Sequence, residues 1–302
     1  MSIWQTKSWQ KMLKKSAQVS EFFEIDNLFI EKRKISMWEY WLFILWFNQK
    51  LDRNIQKKLI DLSKKENCLF IQIETIEYDN TDNLYFEEGN FQLDYYKKFI
   101  TPYTAIINLE KTEDEILANM KPKWRYNIKL AIKKWVISEI VEKTEENIKS
   151  YYDLMLETTS RDNFAWNSLE YYKTFLNKIS NSKLILAKKD SKVIAGWIFV
   201  FDKEVSIYYY WASSSDKEYR NLMSPYLVQW EAIKYAKSIN SKIYDFLWVA
   251  TPWDKNSELS WVTDFKKKLT KDIKKVSDSY IFINKKVKYF IIKLLRKIKK
   301  RI

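Results

Sequence analysis

The sequence predicts an α/β protein of two domains joined near residue 140, and three observations predict it. The 302 residues are 46% hydrophobic, enough length and apolar content for two packed cores of ordinary size. Short runs rich in β-branched and aromatic residues alternate with longer runs whose apolar residues recur at helical spacing. The alternation occurs twice, and the first half reads as a reduced copy of the second.

In the first half, "FFEIDNLFIEKRKI" and "YWLFILWF" (Tyr40 to Phe47) read as strands, the second being far short of the roughly 20 residues that span a bilayer. "LDRNIQKKLIDLSKKEN" has helical spacing, and "CLFIQIETI" is a strand in which Cys68, the only cysteine, is a buried small hydrophobe with no disulfide partner. A polar, loop-like stretch from Asp79 to Gly89 leads to the strand "YTAIINL". In "TEDEILANM", Thr112 followed three residues later by Glu115 is a capping box, because each side chain can satisfy the other's free backbone N–H. "KWRYNIKLAIKKW" continues as a basic helix.

In the second half, two helices ("ENIKSYYDLMLETTS", "SLEYYKTFLNKI") precede three strands ("KLILAKK", "KVIAGWIFVF", "EVSIYYYWA"), then a helix ("PYLVQWEAIKYAKSI") and a strand ("KIYDFLWV"). This α-α-β-β-β-α-β order is that of an N-acetyltransferase-like (GNAT) domain. The expected domains are 1–140 and 141–281, with the basic segment 282–302 packing on the first. Lys285 to Ile302 holds nine basic residues and no acidic one, and Val287, Ile291, Leu294, Ile298 and Ile302 form one apolar stripe. That stripe is expected to pack on the first domain, or also to lie on the anionic inner membrane surface.

The net charge of +14 points to an anionic partner, whether nucleic acid, membrane or phosphorylated substrate, unless it is lysine spread over solvated faces. The chain has no histidine, which excludes Ser-His-Asp hydrolysis and histidine-containing zinc sites. Chemistry must come from Lys, Arg, Tyr, Asp, Glu or the substrate, and no metal site is expected. No apolar stretch follows the charges of "MSIWQTKSWQKMLKKS", so no secretory signal is expected and the cytoplasm is the expected location.

Six strings in order, "LEKTEDEILANMKPKWRYNIKLAIKKWV", "RDNFAWNSLEYY", "YYYWASS", "YRNLMSPYLVQWEAIKYAK", "YDFLWVATP" and "WVTDFKKKL", resemble the FemABX family of nonribosomal peptidyl transferases. The resemblance covers nearly the whole chain. It implies two GNAT-like domains without a coiled-coil arm, since no sustained heptads are present. It further implies a monomeric enzyme that transfers an amino acid from aminoacyl-tRNA to the stem peptide of a peptidoglycan precursor, UDP-linked or lipid-linked. Aminoacyl-tRNA would be a co-substrate and no cofactor is expected.

The resemblance also implies site residues. Phe265 and Lys266 match the Phe-Lys pair that lines the family's catalytic cavity, although Lys266 also begins a Lys-Lys-Lys run that could simply be solvated. Arg220 is the implied diphosphate contact, with Tyr226 nearby; Lys34, at the end of an early strand, is the closest candidate for a second cation. Arg161 and Asp162 match substrate-contacting positions and equally suit a structural ion pair. Tyr208 to Tyr210, with Tyr210 the implied stem-peptide contact, suit a core strand as well, and Asp245 shares that ambiguity. Ser224-Pro225 has the N-cap and first-turn signature of a helix start, a favourable place for an anion. "YRNLMSP" lacks the glycines of a CoA pyrophosphate loop, so CoA is not the expected donor. Lys121, Lys123, Arg125, Lys129, Lys133 and Lys134 could meet a tRNA backbone or form a solvated face.

Composition adds an anomaly: 14 Trp and 2 Gly, where ordinary usage would supply roughly 21 Gly. The family usually has glycine where this chain has Trp135, Trp211, Trp248 and Trp261, and also at Trp46, Trp124 and Trp166. Many of these codons, those of Trp135, Trp211, Trp248 and Trp261 first, are expected to be UGA that the source organism reads as glycine, tryptophan being an alternative reading of the same codon; a real Trp-rich chain is the other possibility. Two rival functions stay open: another double-GNAT acyltransferase acting on a protein or polysaccharide, and a non-catalytic basic module that binds nucleic acid or membrane.

Overall fold

The protein's structure, a computed structural model, describes residues 3–16, 19–35, 38–47, 51–76, 78, 91–252, 254, 257, 259–276 and 278–299. The polar stretch Asp79–Gly89, residues 300–302 of the basic segment and the side chain of Trp46 lie outside the described residues. The chain forms two compact units, one of Met1–Pro102 with Lys275–Ile302 and one of Tyr103–Lys274.

The first unit contains a short 3-10 turn (Ile3–Gln5), α1 (Lys7–Lys15), β1 (Glu21–Ile25), β2 (Leu28–Lys34), β3 (Tyr40–Phe47), α2 (Arg53–Lys65), β4 (Phe70–Thr75) and β5 (Gln92–Leu93). The second contains β6 (Tyr103–Asn108), α3 (Glu113–Asn119), α4 (Pro122–Lys133), β7 (Ile137–Val141), α5 (Glu145–Asp162), α6 (Leu169–Lys178), β8 (Ser182–Lys189), β9 (Lys192–Val200), β10 (Val205–Ser213), α7 (Lys217–Arg220), α8 (Ser224–Ser238), β11 (Ile243–Asp245), α9 (Ser260–Lys266) and β12 (Ile273–Lys275). The chain then returns to the first unit through β13 (Ser279–Ile283) and α10 (Lys286–Lys299).

The first unit's sheet runs β1-β2-β3-β4-β13-β5. Only β3 and β4 are parallel among the recorded pairs, and α2 makes the crossover between them. Asp26 and Asn27 take the left-handed conformation that a two-residue hairpin between β1 and β2 requires. The sheet buries Ile30, Leu42, Ile44, Ile71 and Ile73 with Leu59 of α2, and Cys68 is buried in this core with its thiol pushed up to about 11 by desolvation.

The second unit's sheet runs β12-β6-β11-β10-β9-β8-β7. Its strands alternate between two covered faces. Ala195, Trp197 and Phe199 join the core containing Trp124 and Ile128 of α4 and Leu227, Val228 and Ile233 of α8. Gly196 points the other way, against α5, where a Cβ would lie 2.8 Å from Leu186 Cδ2 and 3.0 Å from Tyr151 Cδ2; glycine permits this approach. The Thr112–Glu115 capping box forms as expected.

Besides the apolar stripe of α10, which was expected to pack on the first domain and is instead exposed at Val287, Ile291, Leu294 and Ile298 because the polar face of the helix is the one turned inward, three features differ from the sequence reading. The division falls at Pro102 and Lys275 rather than near 140, because β6 pairs with β11 (Ile243 opposite Asn108) and α4 supplies core to α8. Only long-range pairing reveals that, and residues 103–140 therefore belong with the second unit. Ser224 is not the cap of α8: the chain enters that helix through Met223, left-handed at φ 60°, with no capping side chain, and Ser224 is buried in the first turn. The "KIYDFLWV" strand stops at Asp245, whose carboxylate accepts the Leu247 N–H at 2.7 Å, after which Leu247 and Trp248 turn left-handed (φ 51° and 30°).

Candidate active site

The end of β11 and the short helix α9 together hold Lys266. Thr263 Oγ1 accepts the Ala250 N–H at 2.8 Å, tying α9 to the turn after β11. Lys266 is 1% exposed, whereas Lys267 and Lys268 are exposed, so the lysine run divides by helical rotation into one inward and two outward side chains. Its Nζ donates to the carbonyls of Leu247 at 2.6 Å and Trp248 at 3.0 Å and lies 5.7 Å from the Tyr208 ring centroid. Desolvation lowers its pKa from 10.5 to about 7, opposed by the negative charge of Asp245. Asp245 is itself buried and accepts from the Thr104 hydroxyl as well as from Leu247. An ammonium carries three donors, so two carbonyls leave one N–H for something else.

Lys266 also lines a cavity of about 500 Å³, together with Tyr208, Tyr210, Trp211, Trp248 and Trp261 and the segment Asp162–Asn167. Tyr210 Oη lies 2.9 Å from Tyr171 Oη, and burial pushes the Tyr210 phenol well above its usual range. Tyr208 is raised for the same reason, so both stay protonated. Trp211 and Trp261 meet edge to face at 5.8 Å across this wall.

A second cavity, of about 470 Å³, opens at the start of α8 and is lined by Arg161, Lys217, Arg220, Met223–Tyr226 and Phe265. Phe265 and Lys266 are sequence neighbours, about 100° apart on the helix, and so line different cavities. Phe265 packs edge to face on Trp124 at 4.9 Å, and Tyr226 packs on the same indole at 4.3 Å. Arg220 is exposed, and none of the recorded ion pairs of the described residues includes it or Lys217. The first-turn amides of α8 lack a capping side chain beside these two cations, and that combination suits an anion. Arg161 is engaged differently: Nε and Nη2 clamp Asp162 at 2.9 Å each, and Nη1 donates to the carbonyls of Ser213 and Ser214 at 3.3 and 3.1 Å. It holds the end of β10 against α5.

Of the residues named from the sequence, Phe265, Arg220, Tyr226 and Arg161 gather at the second cavity and Lys266 and Tyr210 at the first. Lys34 is exposed at the end of β2, in the other unit, and lines neither. The sequence reading missed Thr104 and the two carbonyls that receive Lys266; the glycine-like character of position 248 was the signal that the backbone turns there. Lys121, Lys123, Lys129 and Lys133 are exposed on and beside α4, whereas Arg125 is used internally, donating to the carbonyls of Leu117, Ala118 and Met120 at the end of α3. Among the described residues no group of three or more His, Cys, Asp or Glu could hold a metal ion.

Two of the four tryptophans at glycine-like positions have left-handed backbones, Trp135 at φ 60° and Trp248 at φ 30°. Trp135 follows α4 in a Schellman ending: Val136 N–H bonds Ala131 O at 3.1 Å and Trp135 N–H bonds Ile132 O at 2.9 Å. Trp211 lies within β10 and Trp261 in the first turn of α9. The Trp124 indole N–H is buried without a hydrogen-bond partner among the described residues.

The FemAB family model matches residues 78–190 and 177–297. The lipid II:glycine glycyltransferase of Staphylococcus epidermidis is 23% identical over 280 aligned positions covering 68% of this chain and 66% of that protein. Aminoacyltransferase FemA of Staphylococcus aureus is 23% identical over 344 positions covering 84% of this chain and 80% of that protein. Among solved structures, FemX superposes with a TM-score of 0.80 at 16% identity, covering 97% of this chain and 94% of FemX. L-PGS from Bacillus licheniformis superposes at 0.56 and 11% identity, covering 91% and 88%. These structural likenesses establish the shared α/β fold.

Proposed function

The chain belongs to the FemAB family, and from that premise we propose that it is an aminoacyltransferase carrying an aminoacyl group from aminoacyl-tRNA to an amine of the stem peptide of a peptidoglycan precursor. The named relatives, one an aminoacyltransferase and one a glycyltransferase of lipid II, support the reaction class. The observation that carries the reading is Lys266, a buried lysine with one uncommitted donor at the wall of an aromatic cavity.

The reaction is aminolysis of an ester. The amine nitrogen attacks the ester carbonyl carbon, a C–N bond forms, and the carbonyl oxygen becomes an oxyanion. Collapse of the tetrahedral intermediate breaks the bond to the tRNA ribose oxygen, which leaves with the proton the amine gives up. An ester is already activated, so the barrier lies in positioning, proton removal and oxyanion charge. The protonated Lys266 donates its third N–H to that oxyanion in this reading, its other two being held by the carbonyls of Leu247 and Trp248. A pKa near 7 also lets this lysine exchange a proton at neutral pH. Phe265 and Tyr226, packed on Trp124, form the apolar wall of the neighbouring cavity, in which Arg220, Lys217 and the start of α8 receive the acceptor's phosphates. The exposed lysines of α4 meet the tRNA backbone. Tyr210, kept protonated by burial, and its hydrogen-bonded neighbour Tyr171 contact the stem peptide.

Incubating the purified protein with a pool of charged tRNAs and either UDP-linked or lipid-linked precursor, followed by product mass analysis, tests the proposal. One added aminoacyl residue on either precursor is expected. An unchanged mass on both would refute it.

A further inference from the structure

The last helix is mounted inside out. Val287, Phe290, Ile291, Leu294, Leu295 and Ile298 of α10 are between 48% and 73% exposed. At about 100° per residue they occupy one arc of about 140°. The face turned toward the first unit is the polar one. Tyr289, fully buried, donates to Asp94 at 3.2 Å; Lys293 pairs with the same carboxylate at 2.6 Å, and Arg296 lies over the Tyr96 ring at 4.7 Å. Lys288 pairs with Glu39 at 2.7 Å on one flank of the arc, and Lys286 lies on the other. An ordinary surface helix does the reverse, burying its apolar stripe and presenting its charges to water. Here tyrosine, ion pairs and a cation–π contact hold the helix, and the residues of the apolar arc are left about half or more exposed.

We propose that α10 docks this protein on an anionic lipid surface, the helix lying in the plane of the interface with its apolar arc in the acyl boundary and the flanking Lys286 and Lys288 at the headgroups. Charge selects this occupant. Lys285 to Ile302 carries nine basic residues and no acidic one, so a second copy of the helix would meet it with like charge, whereas anionic headgroups complement it. No helix among the described residues is long and apolar enough to cross a membrane, which leaves the in-plane arrangement. The inference is independent of the proposed transfer reaction, because the vesicles that test it contain neither tRNA nor precursor.

The test is co-sedimentation of the full chain with vesicles of phosphatidylcholine and phosphatidylglycerol in equal parts, and with vesicles of phosphatidylcholine alone, at low and high salt. Binding to the anionic vesicles, weakened by salt and at least about tenfold weaker on neutral ones, is expected. Leu294→Asp with Leu295→Asp should weaken binding by about tenfold or more, with circular dichroism and thermal midpoint unchanged because both side chains are exposed. Lys286→Gln should cost about fivefold at low salt. The proposal is overturned if the wild-type chain stays in solution with anionic vesicles, or if the double variant binds as tightly as wild type. It is equally overturned if sedimentation equilibrium shows a dimer that the double variant makes monomeric.

Discussion

Lys266→Met separates the chemistry of the lysine from its cost to the fold. Moving an ammonium's pKa from 10.5 to about 7 corresponds to about 5 kcal/mol of preference for the neutral form. Methionine has similar volume and carries no charge, so it removes that desolvation penalty. It also strands the carbonyls of Leu247 and Trp248, at a cost of about 1–3 kcal/mol each. The two effects nearly offset one another, and the variant should fold with stability close to wild type at pH 7. The pH dependence is more telling. Between about pH 7 and 10.5 the folded chain has released the Lys266 proton while the unfolded chain retains it, so the unfolded state binds more protons and wild-type stability rises with pH across that window. Relative to Lys266→Met, wild type should therefore gain about 2 kcal/mol between pH 7 and pH 9, read from urea unfolding midpoints of both proteins at each pH. Aminoacyl transfer by the variant should fall by about a hundredfold or more, the scale of losing one oxyanion donor. A pH-independent stability difference would show that Lys266 is charged and solvated in the folded protein; turnover at the wild-type rate would remove it from the mechanism.

Other perturbations have equally definite outcomes. Arg220→Gln should raise KM for a phosphate-bearing precursor by about tenfold to a hundredfold, the range of a lost charged hydrogen bond, with kcat and the melting temperature kept; an unchanged KM in steady-state assays would remove Arg220 from acceptor binding. Arg161→Leu should instead destabilise the fold by roughly 2–3 kcal/mol, because it strands Asp162 and the carbonyls of Ser213 and Ser214; a denaturation midpoint equal to wild type would contradict this. Trp135→Gly should stabilise by about 1 kcal/mol, since the position is left-handed and 79% exposed, so that strain is relieved with little lost packing; calorimetry showing a lower midpoint would count against a glycine-like site. Native peptide mass at Trp135 and Trp248 is expected to show glycine, and UGG codons there would end that reading.

Much of the architecture was legible because it is local. Capping at Thr112, alternation in the strands and helical spacing in α2, α5 and α6 all report on residues within a turn or two of one another. The domain boundary was not, because the partner of β6 is β11, far along the chain, and no periodicity in residues 103–108 announces it. The same limit applied to the start of α8. Ser-Pro is a good cap signature, and a left-handed Met223 took the entry instead. In the site, Phe265 and Lys266 stood out through family resemblance alone, since composition made Lys266 look like one of three solvated lysines.

The sequence by itself determined the fold class, the absence of histidine chemistry and the basic, amphipathic character of the last helix, because composition and short-range spacing suffice for each. The tertiary structure decided that Lys266 is dry and held by two backbone carbonyls, that Arg161 is consumed internally while Arg220 is exposed at the second cavity, and that the apolar stripe of α10 faces outward. Each of these depends on which distant backbone or carboxylate arrives beside a side chain, and desolvation and hydrogen-bond satisfaction exist only once that neighbour is in place.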